Sequence, residues 1–231
     1  MQYELSDLLA QADRSWWQSI DLYARANKDR YSDYAAFITL SHWNTEEVFK
    51  RLAFSILSVQ TPFDRACGAF SRLMKLDKLS RGSRTRVSQA IDGVMYRTVK
   101  TRGLVNAWFD CQNNPRQFEK QPAESWDTYR RRLTKLYGLG KAKASFAACL
   151  LYPLEADIAC LDTWILKHFG LEQKNGRLSW DEYLACEALI RSHAQRWQVS
   201  TFLAQWLIWD HARGNVESHS ILGLPGGHKD I

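Results

Sequence analysis

The sequence predicts an all-α protein. Two observations carry this: apolar residues recur at i, i+3, i+4 spacing through most of the chain, and alternating strand patterns are almost absent. A third supports it. Asn, Ser and Thr stand where periodic stretches open, and Gly where one closes. The 231 residues suffice for one large domain or two small ones with a buried core.

The elements follow in order. Val48, Phe49, Leu52, Ala53, Ile56 and Leu57 form one stripe behind the cap candidates Asn44 and Thr45, which predicts a helix over 46–59. Thr61-Pro62-Phe63-Asp64 reads as an N-cap, a proline at the first helical position and an acid at the third, opening a helix to about Met74. Further helices are expected near 83–92, 100–111, 124–136, 141–152, 162–169, 179–196 and 200–213. Ser179 with Glu182 makes a capping box, and Gly214 is a C-terminal stop. Gln112–Pro122 is the softest segment, 215–231 reads as loop, and no repeat appears. Residues 1–40 and 170–231 flank the middle of the chain. They are expected to pack as one helical subdomain, with 41–169 as the other.

Composition excludes several classes. At 45% hydrophobic and 24% charged residues the chain reads as globular rather than disordered. No apolar run approaches a membrane span, and the opening MQYELSDLLA is acidic, so neither a transmembrane helix nor a secretory signal is expected. The expected setting is the cytoplasm or nucleus. Cys67, Cys111, Cys149, Cys160 and Cys186 are scattered without a CxxC, which argues against a disulfide framework and a zinc site and for buried thiols. His42, His168, His193, His211, His219 and His228 form no ligand pattern. A net charge of +6 permits a polyanionic partner.

The stretch from Leu133 to Ser145 is the most informative. One helix ends, Gly138-Leu139-Gly140 turns the chain, and a helix rich in small residues begins. The glycines permit positive φ and close backbone approach. The N-terminus of the second helix presents N–H groups and the positive end of its dipole, a phosphate site by construction. Arg130, Arg131, Arg132, Lys135, Lys141 and Lys143 cluster around it in sequence. Taken alone, the stretch is equally a plain helical hairpin with a solvated basic face.

Asp162 opens another helix after the apolar approach from Ile158 to Leu161, 22 residues beyond Gly140. As a plain N-cap it would contribute about 1 kcal/mol. As a functional group it is a carboxylate held beside a reacting centre. The intervening helix of about 11 residues spans roughly 16 Å, and the turn after Pro153 brings the chain back, so the hairpin and Asp162 are expected to face one ligand.

Together these residues resemble the helix-hairpin-helix base-excision DNA glycosylases. The resemblance rests on Leu136-Tyr137-Gly138-Leu139-Gly140-Lys141-Ala142-Lys143-Ala144 (within the hairpin at about 125–152) followed by Asp162-Thr163. Phe54 to Thr61, containing Gln60, is similar to a segment whose glutamine lies near the gap left by a flipped base. Met95 to Leu104, containing Lys100 and Arg102, and the closing stretch Phe202 to Trp209 are also similar. The likeness covers about residues 45–212.

The resemblance implies a two-subdomain helical fold with a DNA and base cleft between the subdomains. It implies double-stranded DNA as partner, a monomer, no cofactor, and a structural monovalent cation at the hairpin. It assigns DNA binding to Gly138, Leu139, Gly140, Lys141, Lys143, Gln60, Lys100 and Arg102, and catalysis to Asp162. One position departs. Where bifunctional members carry a catalytic lysine, two residues after the second hairpin glycine, this chain has Ala142. One step along a helix rotates a side chain by about 100°, so Lys141 and Lys143 point elsewhere. The implied enzyme is monofunctional, with Lys143 the candidate for lyase chemistry if the helix is shifted. No cysteine follows Cys186, so the iron–sulfur cluster of some members is excluded. Trp16, Trp17, Trp43, Trp108 and Trp206 are candidates for stacking on a base or for the core. Two readings compete: a transferase on the same fold, resembling phage proteins that modify a thymine substituent, and a non-catalytic DNA-binding module.

Overall fold

The computed structural model describes residues 14–169, 171, 178–214 and 218. Among them the regular secondary structure is entirely helical. The α-helices are α1 (Arg14–Ile38), α2 (Thr45–Leu57), α3 (Phe63–Met74), α4 (Lys78–Arg81), α5 (Arg84–Ala90), α6 (Arg97–Asn113), α7 (Trp126–Leu133), α8 (Lys141–Leu151), α9 (Thr163–His168), α10 (Trp180–Trp197) and α11 (Thr201–Ala212). A 3-10 turn, Pro115–Phe118, lies between α6 and α7 and buries Phe118.

The described residues divide into two compact units, one within 1–37 and 153–219, the other within 38–152. The unit holding 38–152 is built around α2. From Arg51 to Leu57 every residue of α2 is buried, as are Val48 and Phe49, because α3, α6 and α8 all pack against it. A helix apolar on nearly every face becomes a central one. Buried Arg51 ties this centre to its neighbours, donating to the carbonyls of Leu150 (2.9 Å), Glu47 (2.9 Å) and Ile38. In the other unit α11 packs against α10 and α9. Residues 201–208 of α11 are likewise buried throughout.

Local signals behave as their chemistry demands. Asn44 accepts from the Glu47 N–H at 2.9 Å. Ser179 and Glu182 complete a reciprocal box, with Glu182 N to Ser179 Oγ at 3.2 Å and Ser179 N to Glu182 Oε2 at 2.8 Å. Gly214 takes φ +84 just past α11. Four cysteines are buried, Cys67 is half-buried, and all five are unlinked.

Three expectations are corrected. Thr61 does not cap α3: Pro62 holds the N-cap position, and the Thr61 hydroxyl instead donates to Val59 O at 3.1 Å and accepts from Lys100. The helix expected to reach residue 59 stops at Leu57, where this turn begins. Helix α6 starts at Arg97 rather than 100, directly behind Tyr96 in a left-handed conformation at φ 55. Helix α1 escaped periodic reading because its buried face is Ile20, Ala24, Tyr31, Ala35 and Ile38, small or hydroxylated at three of five positions. The expected 215–231 loop, apart from Ser218, and His219 and His228 lie outside the described residues.

Candidate active site

The hairpin is formed by α7, a turn and α8. The Leu139 N–H donates to Leu136 O at 3.2 Å, Gly138 takes φ +92, and Leu139 is buried, so the turn is pinned by one apolar side chain. Gly140 is the N-cap of α8 in extended conformation, and no side chain caps the helix there. That end of α8 therefore presents its dipole and leading backbone to the surroundings. Gly138 and Gly140 are exposed, and a Cβ at either would meet nothing within 4 Å. The conformational need lies at Gly138; Gly140 adopts a φ of −86 that any residue can take.

Three contacts seat the hairpin against α2 and α6. Ser55 donates to Lys143 O at 2.6 Å, from the buried face of α2 to the first turn of α8. A Cβ on Gly103 would stand 2.6 Å from Tyr137 O, so α6 approaches the turn at a distance only glycine allows. Arg102 stacks on the Tyr137 ring at 4.3 Å. Gly103 was not among the expected site residues, although an isolated glycine inside a helical pattern is itself a signal of close backbone approach.

The arginines preceding the turn do not form the expected basic face. Arg130 is fully buried, paired with Asp127 and donating to Ser145 Oγ at 3.3 Å. Arg131 also bonds Asp127, at 2.7 Å. Arg132 grips both oxygens of Glu124 at 2.9 and 2.8 Å, which holds that carboxyl below its ordinary range, and takes the Glu119 carbonyl at 2.9 Å. These charges fasten α7 and the preceding loop. Lys141 and Lys143 are half-buried, and the Lys143 ammonium lies 5.2 Å from the Phe146 ring centre. Arg102 is exposed. With Arg84, Ser88, Arg97 and Thr98 it lines a groove of about 830 Å³ that reaches Tyr137.

Lys100 is placed differently from a surface phosphate contact. Its side chain is buried, and its ammonium donates to Leu57 O (2.8 Å), Val59 O (2.6 Å) and Thr61 Oγ1. All three protons of the ammonium are thus directed at the end of α2 and the turn that follows. Burial, with Lys143 nearby, pushes this ammonium down to about 8, while the three oxygens favour the charged form. In the clamped turn stands Gln60, exposed and left-handed at φ 45. A glutamine held there is strained by roughly 1 kcal/mol.

Asp162 lies in the unit of 153–219, as the N-cap of α9. Its Oδ1 accepts the Ile165 N–H at 3.1 Å and its Oδ2 accepts the Trp209 indole N–H at 2.7 Å. The Arg213 guanidinium lies over the Trp209 ring at 4.4 Å. The approach is buried from Ile158 to Leu161, and among the described residues it belongs to no helix or strand. Its backbone is satisfied by side chains instead: Ala159 N by Glu187 (2.9 Å), Ala159 O and Leu161 N by the Tyr183 hydroxyl (2.7 and 3.1 Å), and Cys160 N by Gln205 (3.4 Å).

Among the aromatic candidates, Trp108 and Trp206 are core, while Trp16, Trp17 and Trp43 are half-buried. His193 stacks flat on Trp17 at 4.1 Å, and burial pushes it down to about 4, so it is neutral at physiological pH. Among the described residues no helix is long and apolar enough to cross a membrane, and no three His, Cys, Asp or Glu side chains are grouped to hold a metal ion.

No protein-family model matches the sequence, and no curated protein matches it at a significant level. Solved structures do match. The 8-oxoguanine DNA glycosylase of Thermotoga maritima aligns over 91% of this chain and 98% of its own, with TM-score 0.66 and 16% identity. The 8-oxoguanine glycosylase/lyase of Methanocaldococcus jannaschii, in complex with a 15mer DNA containing 8-oxoguanine, aligns over 81% and 91%, with TM-score 0.62 and 19% identity. A second structure of the Methanocaldococcus enzyme gives 0.66 at 16%, over 88% and 97%. The chain therefore has the all-helical fold of the solved 8-oxoguanine DNA glycosylases.

Proposed function

We propose that the protein is a DNA N-glycosylase that flips a damaged or modified base from the duplex and excises it by hydrolysis. The observation that carries the reading is the glycine turn leading into α8 without a side-chain cap, in a chain whose fold is that of solved DNA glycosylases. Such a turn binds a backbone phosphate through its N–H groups and dipole, fixing register without reading sequence. Lys141, Lys143 and Arg102 add charge, and Gln60 occupies the gap left by the base. Lys100 serves by holding the Gln60 turn rather than by touching phosphate. A monovalent cation at the hairpin would be held by turn carbonyls; the open, exposed Gly138 and Gly140 leave room for it.

Extruding the base costs a few kcal/mol, recovered in the pocket. Cleavage of the C1′–N bond leaves the electron pair on the base and positive charge on the sugar. Asp162 stabilises that charge and accepts a proton as water attacks C1′; the proton then neutralises the departing base. Ala142 supports hydrolysis over an imine route, because Lys143 stands one position further on, with its carbonyl bonded to Ser55 and its ammonium over Phe146.

The test is base release from labelled duplexes carrying 8-oxoguanine, hypoxanthine, uracil, 5-hydroxymethyluracil or an alkylated purine, with and without alkali, and with borohydride. Alkali-dependent breaks without a trapped adduct are expected. An adduct would establish lyase chemistry and point to Lys143. Tight binding with no release from any duplex would favour the base-modifying transferase or the non-catalytic module.

A further inference from the structure

We propose that Trp209 is a positioning residue that fixes the orientation of the Asp162 carboxylate. The inference rests on the reading of Asp162 as the group that serves the reacting sugar. A helix N-cap aspartate ordinarily has one oxygen committed to the helix and the other turned to solvent. At Asp162 the second oxygen is also engaged. Oδ1 takes the Ile165 N–H at 3.1 Å, and Oδ2 takes the Trp209 Nε1–H at 2.7 Å.

The two donors come from different elements, the first turn of α9 and the last turn of α11. Together they define the carboxylate plane: the group cannot rotate about its Cβ–Cγ bond without losing both. Each oxygen keeps a lone pair, so the carboxylate remains able to face a cationic centre and to accept a proton.

The indole suits the task. It is a donor only, so it never competes for a proton. It is rigid, and it is held in turn: Arg213 covers its face at 4.4 Å, and α11 is anchored by its buried residues from Thr201 to Ile208. A serine or lysine would supply a donor without fixing the direction. Trp209 is half-exposed where its neighbour Ile208 is fully buried. Filling the core is therefore not its main work. Preorganised orientation of a charged group is worth most when the charge it must meet exists only in the transition state.

The test uses the full-length protein in four forms: wild type, Trp209→Phe, Asp162→Asn and the double variant. Phenylalanine keeps the ring and removes the N–H. The first readout is the indole ¹⁵N–¹H spectrum, in which the Trp209 signal is the one absent from Trp209→Phe. It should lie downfield in the wild type and move upfield in Asp162→Asn. The second is single-turnover base release from whichever damaged duplex of the panel above the wild type acts on, with duplex affinity measured alongside.

Trp209→Phe should lower the rate by about 10- to 100-fold, the worth of a hydrogen bond to a charged group, with affinity and melting temperature unchanged. In the Asp162→Asn background the same change should have no further effect, because the residues act as one unit. An indole signal indifferent to Asp162, a loss confined to affinity, or an equal loss in both backgrounds would overturn the proposal. A wild type inert on every duplex would instead count against the glycosylase reading, and the indole signal would then decide this inference alone.

Discussion

The hairpin and the Asp162 approach both hold irregular backbone in a fixed place, and they do so by opposite means. Around the hairpin the work is done by small residues and bare backbone: Gly103 lets the Tyr137 carbonyl come close, Gly138 supplies positive φ, and the short Ser55 side chain donates to the Lys143 carbonyl. Around Asp162 it is done by long polar side chains. Glu187, Tyr183, Gln205 and Trp209 reach from α10 and α11 to a segment outside any helix. A phosphate-binding turn needs exposed backbone and so cannot be wrapped in side chains. A carboxylate that must point one way needs those side chains.

Substitutions can break this contrast. The largest stability effect is expected at Lys100. Lys100→Met strips the Leu57 carbonyl of its donor in a buried setting, leaves the Val59 carbonyl with the Thr61 hydroxyl alone, and should cost about 2–4 kcal/mol, read by urea unfolding. A cost under 1 kcal/mol would mean that water replaces the ammonium and that the clamp on Gln60 is dispensable.

Next comes the unit of 153–219, where a buried acid makes stability depend on pH. Asp210 is fully buried, bonded by Tyr31 and by the Ser218 N–H at 3.1 Å, and burial pushes its carboxyl up to about 6 despite those bonds. Its folded pKa exceeds the unfolded value near 3.8. The neutral form is therefore favoured by folding, and the associated stability, full below about pH 4, is lost as pH rises through 6. Relative to Asp210→Asn, the wild type should lose about 3 kcal/mol between pH 4 and pH 8. A difference that stays flat, or that rises with pH, would contradict this.

Gly103→Ala follows. Its methyl would meet the Tyr137 carbonyl at 2.6 Å, so the turn must shift, at roughly 1–3 kcal/mol. Duplex affinity should fall while the melting behaviour remains cooperative. Unchanged affinity would show that the hairpin tolerates displacement.

The smallest effect has the opposite sign. Gln60→Gly relieves the left-handed strain and should stabilise the fold by about 0.5–1 kcal/mol while weakening base release. Stabilisation with full activity would remove Gln60 from the site.

How much of this could be read in the sequence follows from the range of each interaction. The capping box at Ser179, the cap at Asn44, the stop at Gly214 and the glycine turn are local, set within a few residues, and were legible. Asp162 as a helix cap was legible for the same reason. Lys100 and Thr61 read as a surface charge and a cap, because nothing near them in sequence tells that they meet each other. Arg130, Arg131 and Arg132 read as a phosphate-binding run for a similar reason. Their partners Asp127 and Glu124 stand only three to eight residues away, but the burial of Arg130 is a tertiary fact. Trp209 was visible as an apolar residue of the closing helix, and its donor role appeared only once α11 was packed beside α9.

Whether Asp162 is chemical or merely a cap is decided by base release by the wild type and by Asp162→Asn across the panel of damaged duplexes, with duplex affinity measured for both. Asparagine retains the oxygen that accepts the Ile165 N–H, so the cap survives while the charge is lost. For a chemical Asp162, the wild type releases base from at least one duplex, the variant is slower by about 10²–10⁴, and affinity is unchanged within a few-fold. Release at equal rates by both proteins would contradict that role and reduce Asp162 to the terminus of a helix.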